Sequence, residues 1–377
     1  MTRLGDICFI NMGQSPDSST YNEEHIGLPF FQGNADFGEM HPSVRVWCSA
    51  PTKIAKPNDI LISVRAPIGA LNIADIECCI GRGLAALTVN PAVCEQKYLW
   101  YGLESKIDEL NSKGTGSTFK AISKNTLFET KIPLPPLTEQ THIAAVLDKV
   151  CDLITLRKQQ LDKLDELVKA RFVEMFGDPL INPMEWSLIP LLEMGDCKNG
   201  MNFHNGDSGI EMHCLGVGDF KDLSEIHDTS KLSKVSLNEM PNDEYLLKNG
   251  DIVFVRSNGN KALVGRCLAI FPGDTLTTFS GFCIRYRRHS EIIQTEYLLQ
   301  VLKSNSMRKK MAGRGANIQN LNQQILASLN IPVPPQELQR QYALFVKQNE
   351  KCKLTIYQGL DKLEVMKKAL MQHYFGL

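Results

Sequence analysis

The sequence has no run of about 18 consecutive apolar residues, the length that a membrane-spanning helix needs. The N-terminal residues, MTRLGDICFINMGQ, show no apolar signal-peptide core followed by a small-residue cleavage site. The 11 cysteines are scattered and include no CxxC pair of the kind that binds zinc. These absences argue against a membrane protein, a secreted protein and a structural zinc domain. We therefore expect a cytoplasmic protein.

Familiar catalytic motifs are missing as well. There is no GxSxG nucleophile elbow, no HExxH zinc motif and no NPPY-like box for flipping and methylating adenine. The segments GTGSTF and GRG are too short and wrongly placed for a phosphate-binding P-loop or a dinucleotide fingerprint. We expect a non-catalytic chain that holds no metal and no cofactor of its own. A stand-alone enzyme of unfamiliar type is the alternative.

The net charge of −1 argues against a uniformly basic nucleic-acid binder. It does not exclude a local one, because only the surface that meets the nucleic acid needs to be positive. Residues 256–314 contain 11 Lys and Arg against three acidic residues, a local charge of +8.

The chain repeats itself at one fixed offset. KIPLPPLTEQ, which begins at Lys131, returns as NIPVPPQELQ, which begins at Asn330, 199 positions later. At the same offset LDKLDELVKARFVEMFG, from Leu161, aligns without a gap on LDKLEVMKKALMQHYFG, from Leu360. A tandem duplication explains this match. Each half has a variable globular part followed by a constant helix.

The variable parts are expected to be mixed α/β domains. ILISV and DIVFV are short apolar runs of the kind found in buried strands, and LTTFSGFCIRYR alternates as a half-exposed strand does. TEYLLQVLKSNSMRKKMAG has the spacing of an amphipathic helix with a Gly stop. The predicted fold class is therefore α/β (α+β), with two heads of mixed sheet plus helices.

The constant parts are predicted to be helices of about 38 residues and ~57 Å, too long to bury their apolar stripes alone. The two copies are therefore expected to pair as a coiled coil, and the alternative is that each helix caps its own domain. Asn349 is either a polar register-setting residue or an exposed one. The residues expected in the seam are Ile143, Val146, Val150, Leu153, Leu161, Leu164 and Leu167, with Tyr342, Phe345, Cys352, Leu360, Leu363 and Met366 in the second copy.

Two related heads on paired helices of equal length predict a pseudo-two-fold molecule. A DNA duplex has two-fold axes perpendicular to its length, and a protein that matches one of them must carry its helices antiparallel. Because the two heads differ in sequence, the expected DNA site consists of two unlike half-sites separated by unread base pairs.

The duplication contains an ordered set of motifs. The set comprises the IPLPP and IPVPP boxes, the preceding GTGSTFKAIS and GRGANIQNLN, and FGDPLINPMEW from Phe176. This ordered set resembles the specificity subunit of type I restriction-modification systems. The resemblance covers essentially the whole chain. It implies a target recognition domain at 1–131, a spacer helix at 132–178, a second target recognition domain at 179–330 and a second spacer helix at 331–377.

The resemblance also implies partners. In that family the helices form an antiparallel coiled coil that fixes the spacing of a bipartite target. They dock two subunits of an adenine-N6 methyltransferase, to which restriction subunits can be added. It implies S-adenosylmethionine in the methyltransferase partner and ATP and Mg in the restriction subunit. Two alternatives are a partner in which methyltransferase and nuclease are fused, and a coiled-coil scaffold that binds DNA without reading its sequence.

Candidate DNA-binding residues are the basic and amide or hydroxyl side chains in glycine-flexed loops and at strand ends. Backbone N–H groups of these glycines are further candidates for phosphate contacts. In the first head the candidates are Arg65, Arg82, Lys113, Thr115, Ser117 and Lys120, and in the second they are Arg256, Asn258, Asn260, Lys261, Arg285, Arg287, Arg288, Arg314, Asn317 and Gln319.

Overall fold

The computed structural model describes residues 1–115, 120–203, 208–220, 224–312 and 320–376. The chain divides into two compact units. Unit 1 comprises Met1–Gln159 and Tyr357–Leu377, and unit 2 comprises Gln160–Ile356. The four predicted segment boundaries stay predictions, because this division cuts each long helix between the units. In the described ranges no helix is both long and apolar enough to span a lipid bilayer.

Unit 1 contains short strands, short helices and the first long helix. Its strands are β1 (Thr2–Arg3), β2 (Cys8–Met12), β3 (Tyr21–Asn22), β4 (Leu28–Phe31), β5 (Trp47–Cys48), β6 (Ile54–Ala55), β7 (Ile60–Ser63), β8 (Leu71–Ile73), β9 (Cys78–Ile80), β10 (Leu84–Val89) and β11 (Lys131–Ile132). Its helices are α1 (Leu4–Ile7), α2 (Gln96–Glu104), α3 (Ile107–Ser112), α4 (Lys124–Phe128) and the start of α5 (Leu137–Phe176).

The sheets of unit 1 explain its apolar strand sequences. An antiparallel sheet has the order β2-β10-β7-β8, and a mixed sheet has the order β3-β5-β4-β9-β6. The run ILIS of β7 is buried throughout. Ile60 and Ile62 face the core that contains α2, whereas Leu61 faces a second core shared with β9. A strand covered on both faces is therefore apolar at every position.

Unit 2 repeats this plan. Its strands are β12 (Leu188–Pro190), β13 (Gly195–Asn199), β14 (Ile210–Leu215), β15 (Glu225–Ile226), β16 (Lys234–Leu237), β17 (Asp251–Val255), β18 (Cys267–Ile270), β19 (Thr277–Phe279), β20 (Cys283–Arg288) and β21 (Asn330–Pro332). Its helices are α6 (Thr295–Lys303), α7 (Asn305–Ala312), α8 (Gln323–Ala327) and the start of α9 (Gln336–Phe375).

The central sheet of unit 2 has the order β13-β20-β17-β18-β15, and a smaller sheet has the order β16-β14-β19. Every residue of β17 is buried. Ile252 and Phe254 face the core that contains α6, and Val253 and Val255 face a second core on the other side of the sheet. The two heads thus share a central antiparallel core of sheet, and the predicted mixed α/β class is confirmed.

The two long helices begin and end at equivalent positions. Each has 40 residues, and both ends of α9 lie 199 positions after those of α5. No Gly or Pro interrupts α5. The residue after each helix is a glycine with positive φ, Gly177 at 69° and Gly376 at 67°. A left-handed residue that ends a helix is commonly glycine, so the repeated FG defines both helix ends.

In unit 2 the end of α5 pairs antiparallel with the start of α9. The Tyr342 ring lies 5.6 Å from the Phe172 ring, and its hydroxyl donates to the Val168 carbonyl at 3.4 Å. Further along α9, the Asn349 Nδ2 donates to the Leu164 carbonyl at 3.3 Å. The partner's residue number falls as that of α9 rises, so the segments run in opposite directions.

In unit 1 the start of α5 pairs with the end of α9 in the same antiparallel sense. Ile143 shares a core with Phe375, whose ring lies 5.1 Å from that of Tyr98. Later in α5, the Lys158 Nζ lies 3.9 Å from the Glu364 Oε1. The predicted antiparallel helix pairing is therefore confirmed within each unit.

The structure corrects part of the predicted seam. Leu153, Leu167 and Met366 are 45%, 48% and 43% exposed, and Cys352 is exposed too. The buried rows pass instead through the next residue, such as Val168 after Leu167. Sequence spacing alone does not show which of two adjacent residues faces the partner helix. Residues that repeat every three or four positions form a stripe along a helix of 3.6 residues per turn, and the stripe beside it has the same spacing.

The other predicted seam residues are at least half-buried. Buried ones are Ile143, Val150, Leu161, Tyr342 and Leu360, and partly buried ones are Val146, Leu164, Phe345 and Leu363. The alternative left open for Asn349 is decided for the buried position, since its side chain contacts the Leu164 carbonyl within unit 2.

A glutamine in each repeated proline box ties the head to its helix. In unit 1 the Gln140 Oε1 accepts the Glu95 N–H at 2.9 Å. In unit 2 the Gln339 Oε1 accepts the Gln294 N–H at 2.8 Å. Each side-chain amide also donates to two backbone carbonyls, and one of the two belongs to the first proline of the PP pair, Pro135 in unit 1 and Pro334 in unit 2. Both glutamines are completely buried, so the glutamine that follows the two prolines of each box has a structural role, which is to join the head to its helix.

Candidate nucleic-acid interface

In the first head, the loop after β7 lies beside the loop before β10. The Val64 N–H donates to the Gly83 carbonyl at 2.9 Å. This bond brings Arg65 and Arg82 to the same edge of the sheet, and both arginines are exposed. A Cβ on Gly83 would lie 2.4 Å from the Gln32 carbonyl oxygen, so the close approach of this loop requires glycine.

A third segment joins this edge. The Ala66 N–H donates to the Lys120 carbonyl at 3.0 Å, and Thr115 and Ala121 exchange backbone hydrogen bonds of 3.0 and 2.9 Å. Thr115 and Lys120 are exposed here. The exposed Lys113 Nζ binds the Glu109 carboxylate on α3. The structure thus brings the described first-head candidates together, and Ser117 lies outside the described residues.

In the second head, the corresponding edge is the end of β17. The Arg256 N–H donates to the Phe282 carbonyl at 2.8 Å, and the Leu321 N–H donates to the Arg256 carbonyl at 2.8 Å. The Arg256 guanidinium is partly exposed and donates to the Gly281 carbonyl at 3.4 Å. Arg314, Asn317 and Gln319, which precede Leu321 in sequence, lie outside the described residues.

The loop after Arg256 is shaped by its asparagines. The Asn258 Oδ1 accepts the Asn260 N–H at 2.7 Å, and the Asn260 Oδ1 accepts the Ala262 N–H at 3.1 Å. Both amides therefore use their oxygens to hold the turn, as Asn commonly does. Asn260 and Lys261 are exposed and Asn258 is partly exposed, so this loop offers donors of the kind that bind phosphates or base edges.

An exposed aromatic side chain at this edge was missed by the sequence reasoning. Phe282 is 61% exposed and follows directly on the glycine whose carbonyl accepts from Arg256. It occupies the position of Gly83 in the first head, at the 199-residue offset. An exposed aromatic ring beside basic side chains can insert against base steps of a duplex, which makes Phe282 a further candidate. The sequence held one indication of this difference, because the 199-residue offset aligns a phenylalanine with a glycine here.

The arginines of β20 occupy a different environment. Arg285 is 2% exposed, and its Nη2 donates to the Asp196 Oδ2 at 2.7 Å. The Arg287 guanidinium makes two hydrogen bonds to the Asp251 carboxylate, at 2.8 and 2.7 Å, and this carboxylate raises the pKa of Arg287. The Arg285 and Arg287 guanidinium groups are thus each bound to a carboxylate of the same head. The structure corrects the prediction for Arg285, which offers no accessible surface to DNA.

Arg288 lies between these two extremes. Its Nη1 donates to the Ser290 carbonyl at 2.9 Å and lies 3.6 Å from the Glu291 carboxylate. About a quarter of the side chain, 24%, remains exposed. Arg288 is therefore accessible, although it lies at the end of β20 opposite to Arg256.

A family model, the type I restriction modification DNA specificity domain, matches residues 1–166 and 213–364. These segments make up most of the chain, one in each half. The chain therefore belongs to the type I restriction-modification specificity family, as its motifs predicted.

Individual relatives agree with this assignment. The putative type I restriction enzyme MjaX specificity subunit of Methanocaldococcus jannaschii is 43% identical over 160 residues, 42% of this chain and 38% of that protein. The MjaVIII specificity subunit of the same organism is 26% identical over 305 residues, 74% of this chain and 69% of that protein. The chain thus matches well under half the length of the first relative and about two thirds of the second.

A solved structure supports the fold over the full chain. The crystal structure of a type I restriction-modification S subunit from M. genitalium aligns with a TM-score of 0.58, over 100% of this chain and 95% of that chain. The sequences are 16% identical, so this match concerns the fold alone.

Proposed function

We propose that this chain is the DNA-recognition subunit of a type I restriction-modification complex and that each head reads one half of a bipartite target. The observation that carries the proposal is the contrast between the two corresponding edges. The two heads have similar sheets, but the same edge carries different side chains in each. In the first head they are Arg65, Arg82 and Lys120, and in the second they are Arg256, Asn258 and Phe282. Equal scaffolds with unlike side chains suit the reading of two unlike half-sites.

In this proposal the paired helices set the spacing between the half-sites and dock two methyltransferase subunits. Methylation of adenine at N6, S-adenosylmethionine, and the ATP and Mg of restriction belong to the partner subunits. The relatives are specificity subunits of type I restriction enzymes, which supports this division of labour. The absence of familiar catalytic motifs in the sequence agrees with it.

Removing residues 152–158 and 351–357 together is expected to shorten the unread spacing. Seven residues of helix correspond to about 10 Å, or roughly three base pairs at ~3.4 Å each. Both half-sites should be unchanged, because both heads remain intact. The spacing is read from the methylated adenines produced by the assembled complex. Deletion from one helix alone is the control and should abolish methylation, since it breaks the antiparallel register.

Arg256→Ala is expected to weaken binding to the target duplex about tenfold, through loss of one charged contact to phosphate or base. Arg171→Ala removes the same charge from the helix, where Arg171 is bound to Glu174, and should leave the affinity nearly unchanged. Titrations of labelled duplex at fixed ionic strength measure both affinities. Equal losses for the two variants would argue that only overall charge matters.

The same titrations test whether sequence is read at all. A specificity subunit should keep its preference for the target over an unrelated duplex as salt is raised, whereas electrostatic binding alone falls steeply with salt for every sequence. Binding that shows no preferred duplex at any salt concentration would support a scaffold without sequence reading.

A further inference from the structure

The head–helix joints of the two units share their uncharged contacts. The Tyr98 hydroxyl donates to the Pro133 carbonyl at 2.9 Å, and the equivalent Tyr297 hydroxyl donates to the Pro332 carbonyl at 2.9 Å. The glutamines described above form a second shared set. A head moved from one location to the other would therefore keep these bonds.

One ion pair at the joint has opposite polarity in the two units. In unit 1 the head supplies the cation, since the Lys97 ammonium on α2 binds the Asp148 carboxylate on α5. In unit 2 the head supplies the anion, since the Glu296 Oε1 on α6 lies 3.1 Å from the Lys347 Nζ on α9. Both residues of the second pair lie 199 positions after those of the first. The pairs are thus equivalent positions with exchanged charges.

At a second position the head residue also changes the sign of its charge between the two units, here from anion to cation. At the end of α2, the Glu104 Oε1 lies 2.7 Å from the Lys367 Nζ on α9. The equivalent of Glu104 at the end of α6 is Lys303, and the equivalent of Lys367 on α5 is the uncharged Val168. The Lys303 Nζ donates to the Ser224 hydroxyl at 2.6 Å. Burial lowers the pKa of Lys303, and the nearby Lys353 and Lys169 of the helices lower it further, so one more cation at this position would be unfavourable.

Each ion pair has at least one partner that is largely withdrawn from solvent. The Asp148, Glu296 and Lys367 side chains are 28%, 9% and 25% exposed, whereas those of Lys97 and Lys347 are 55% and 67% exposed. The coupling of such partly buried charges exceeds that of fully exposed pairs, and placing like charges there is unfavourable.

We propose that these residues form an ionic address that assigns each head to its own pair of helix segments. Lys97 and Glu104 of the first head match Asp148 and Lys367. Glu296 of the second head matches Lys347, and Lys303 meets no cation at the helix position equivalent to Lys367. A second head placed before the first helix would set Glu296 against Asp148 and Lys303 against Lys367, which is two like-charge contacts. The address concerns head position and does not depend on which DNA sequence is read.

The test is a full-length chain in which residues 1–131 are replaced by a second copy of residues 179–330. One version carries the native copy, and the other carries Glu296→Lys and Lys303→Glu in the inserted copy alone. We expect the altered version to unfold at a midpoint about 2–4 °C higher, because both contacts become attractive. The same two substitutions in the natural chain, at the original location, should lower the midpoint, because Glu296→Lys breaks the pair with Lys347 and sets two cations together.

A change of sign between locations is what an address requires. A merely stabilising or destabilising effect of the substitutions has the same sign at both locations, and that result would overturn the proposal. If the chain with two second heads does not fold, the natural chain supplies a second test. Lys97→Glu and Asp148→Lys should each lower the midpoint, and the double variant should lose less than the sum of the two. Part of the loss remains because Asp148→Lys also removes the acceptor of the Tyr101 hydroxyl. Additive losses would overturn the proposal.

Discussion

Exchange of residues 179–330 for the corresponding segment of another family member is expected to change one half of the methylated DNA sequence and leave the other half intact. The exchanged segment carries β13 to β20 and the surface around Arg256. The retained segment carries Arg65, Arg82 and Lys120 at the edge of the first head. Since each half-site is proposed to meet one head, specificity should follow the segment.

The reciprocal exchange of residues 1–131 is the matched control and should change the other half. Both results are read by sequencing the methylated adenines in DNA modified by the assembled complex. A change in both halves, or in neither, would contradict the two-head account. Donor heads with an acidic residue at the position of Glu296 and a basic one at that of Lys303 should assemble best, if the ionic address operates.

Phe176→Ala is expected to lower the free energy of unfolding of unit 2 by about 3–5 kcal/mol. Phe176 is 2% exposed, and its ring lies 4.8 Å from that of Tyr297 and 5.5 Å from that of Tyr342. Truncation would leave a cavity where the end of α5 joins both the head and α9. Loss of packing here removes the anchor of the helix as well as core contacts.

Val173→Ala is the matched control, one turn earlier on the same helix. Val173 is 60% exposed, so its truncation should change the free energy of unfolding by less than about 0.5 kcal/mol. Urea unfolding is followed by the fluorescence of Trp186 in a background that carries Trp47→Phe and Trp100→Phe, because the chain has three tryptophans. Trp186 reports on this region, since its ring lies 5.7 Å from that of Phe176. Similar losses for both variants would show that the α5 end is not packed as described.

The duplication made much of the fold predictable from sequence. The single offset predicted two helices of equal length, and the structure has 40 residues in each. The proline boxes identified the duplication, but no pattern in the sequence indicated that Gln140 and Gln339 join each head to its helix. Their partners, Glu95 and Gln294, lie 45 residues earlier, and a hydrogen bond to backbone leaves no compositional signal.

The seam was less predictable because it uses charge as well as apolar side chains. Lys353 lies on a buried row, is 7% exposed and binds Asp165, from which it is separated by 188 residues. A lysine covers apolar surface with its stem while its ammonium reaches a carboxylate. Apolar spacing therefore pointed to the neighbouring Cys352, which is exposed.

The candidate site shows the same limit. The loops that carry Arg65, Lys120 and Arg256 were predictable, because glycines and polar residues follow apolar strand runs. Arg285 was not, since an arginine in an alternating strand suits either a wet face or a buried pair. The partner that decides the matter, Asp196, lies 89 residues away. Phe282 was overlooked because aromatic residues in strands usually belong to the core.

The most direct test of the central claim is a map of methylated adenines from cells that contain this chain and its methyltransferase partner, compared with cells that lack this chain. The account predicts one bipartite sequence, made of two unlike halves at a single fixed spacing, that disappears with the chain. Methylation at a continuous or palindromic sequence, at variable spacing, or unchanged in the absence of the chain would contradict it.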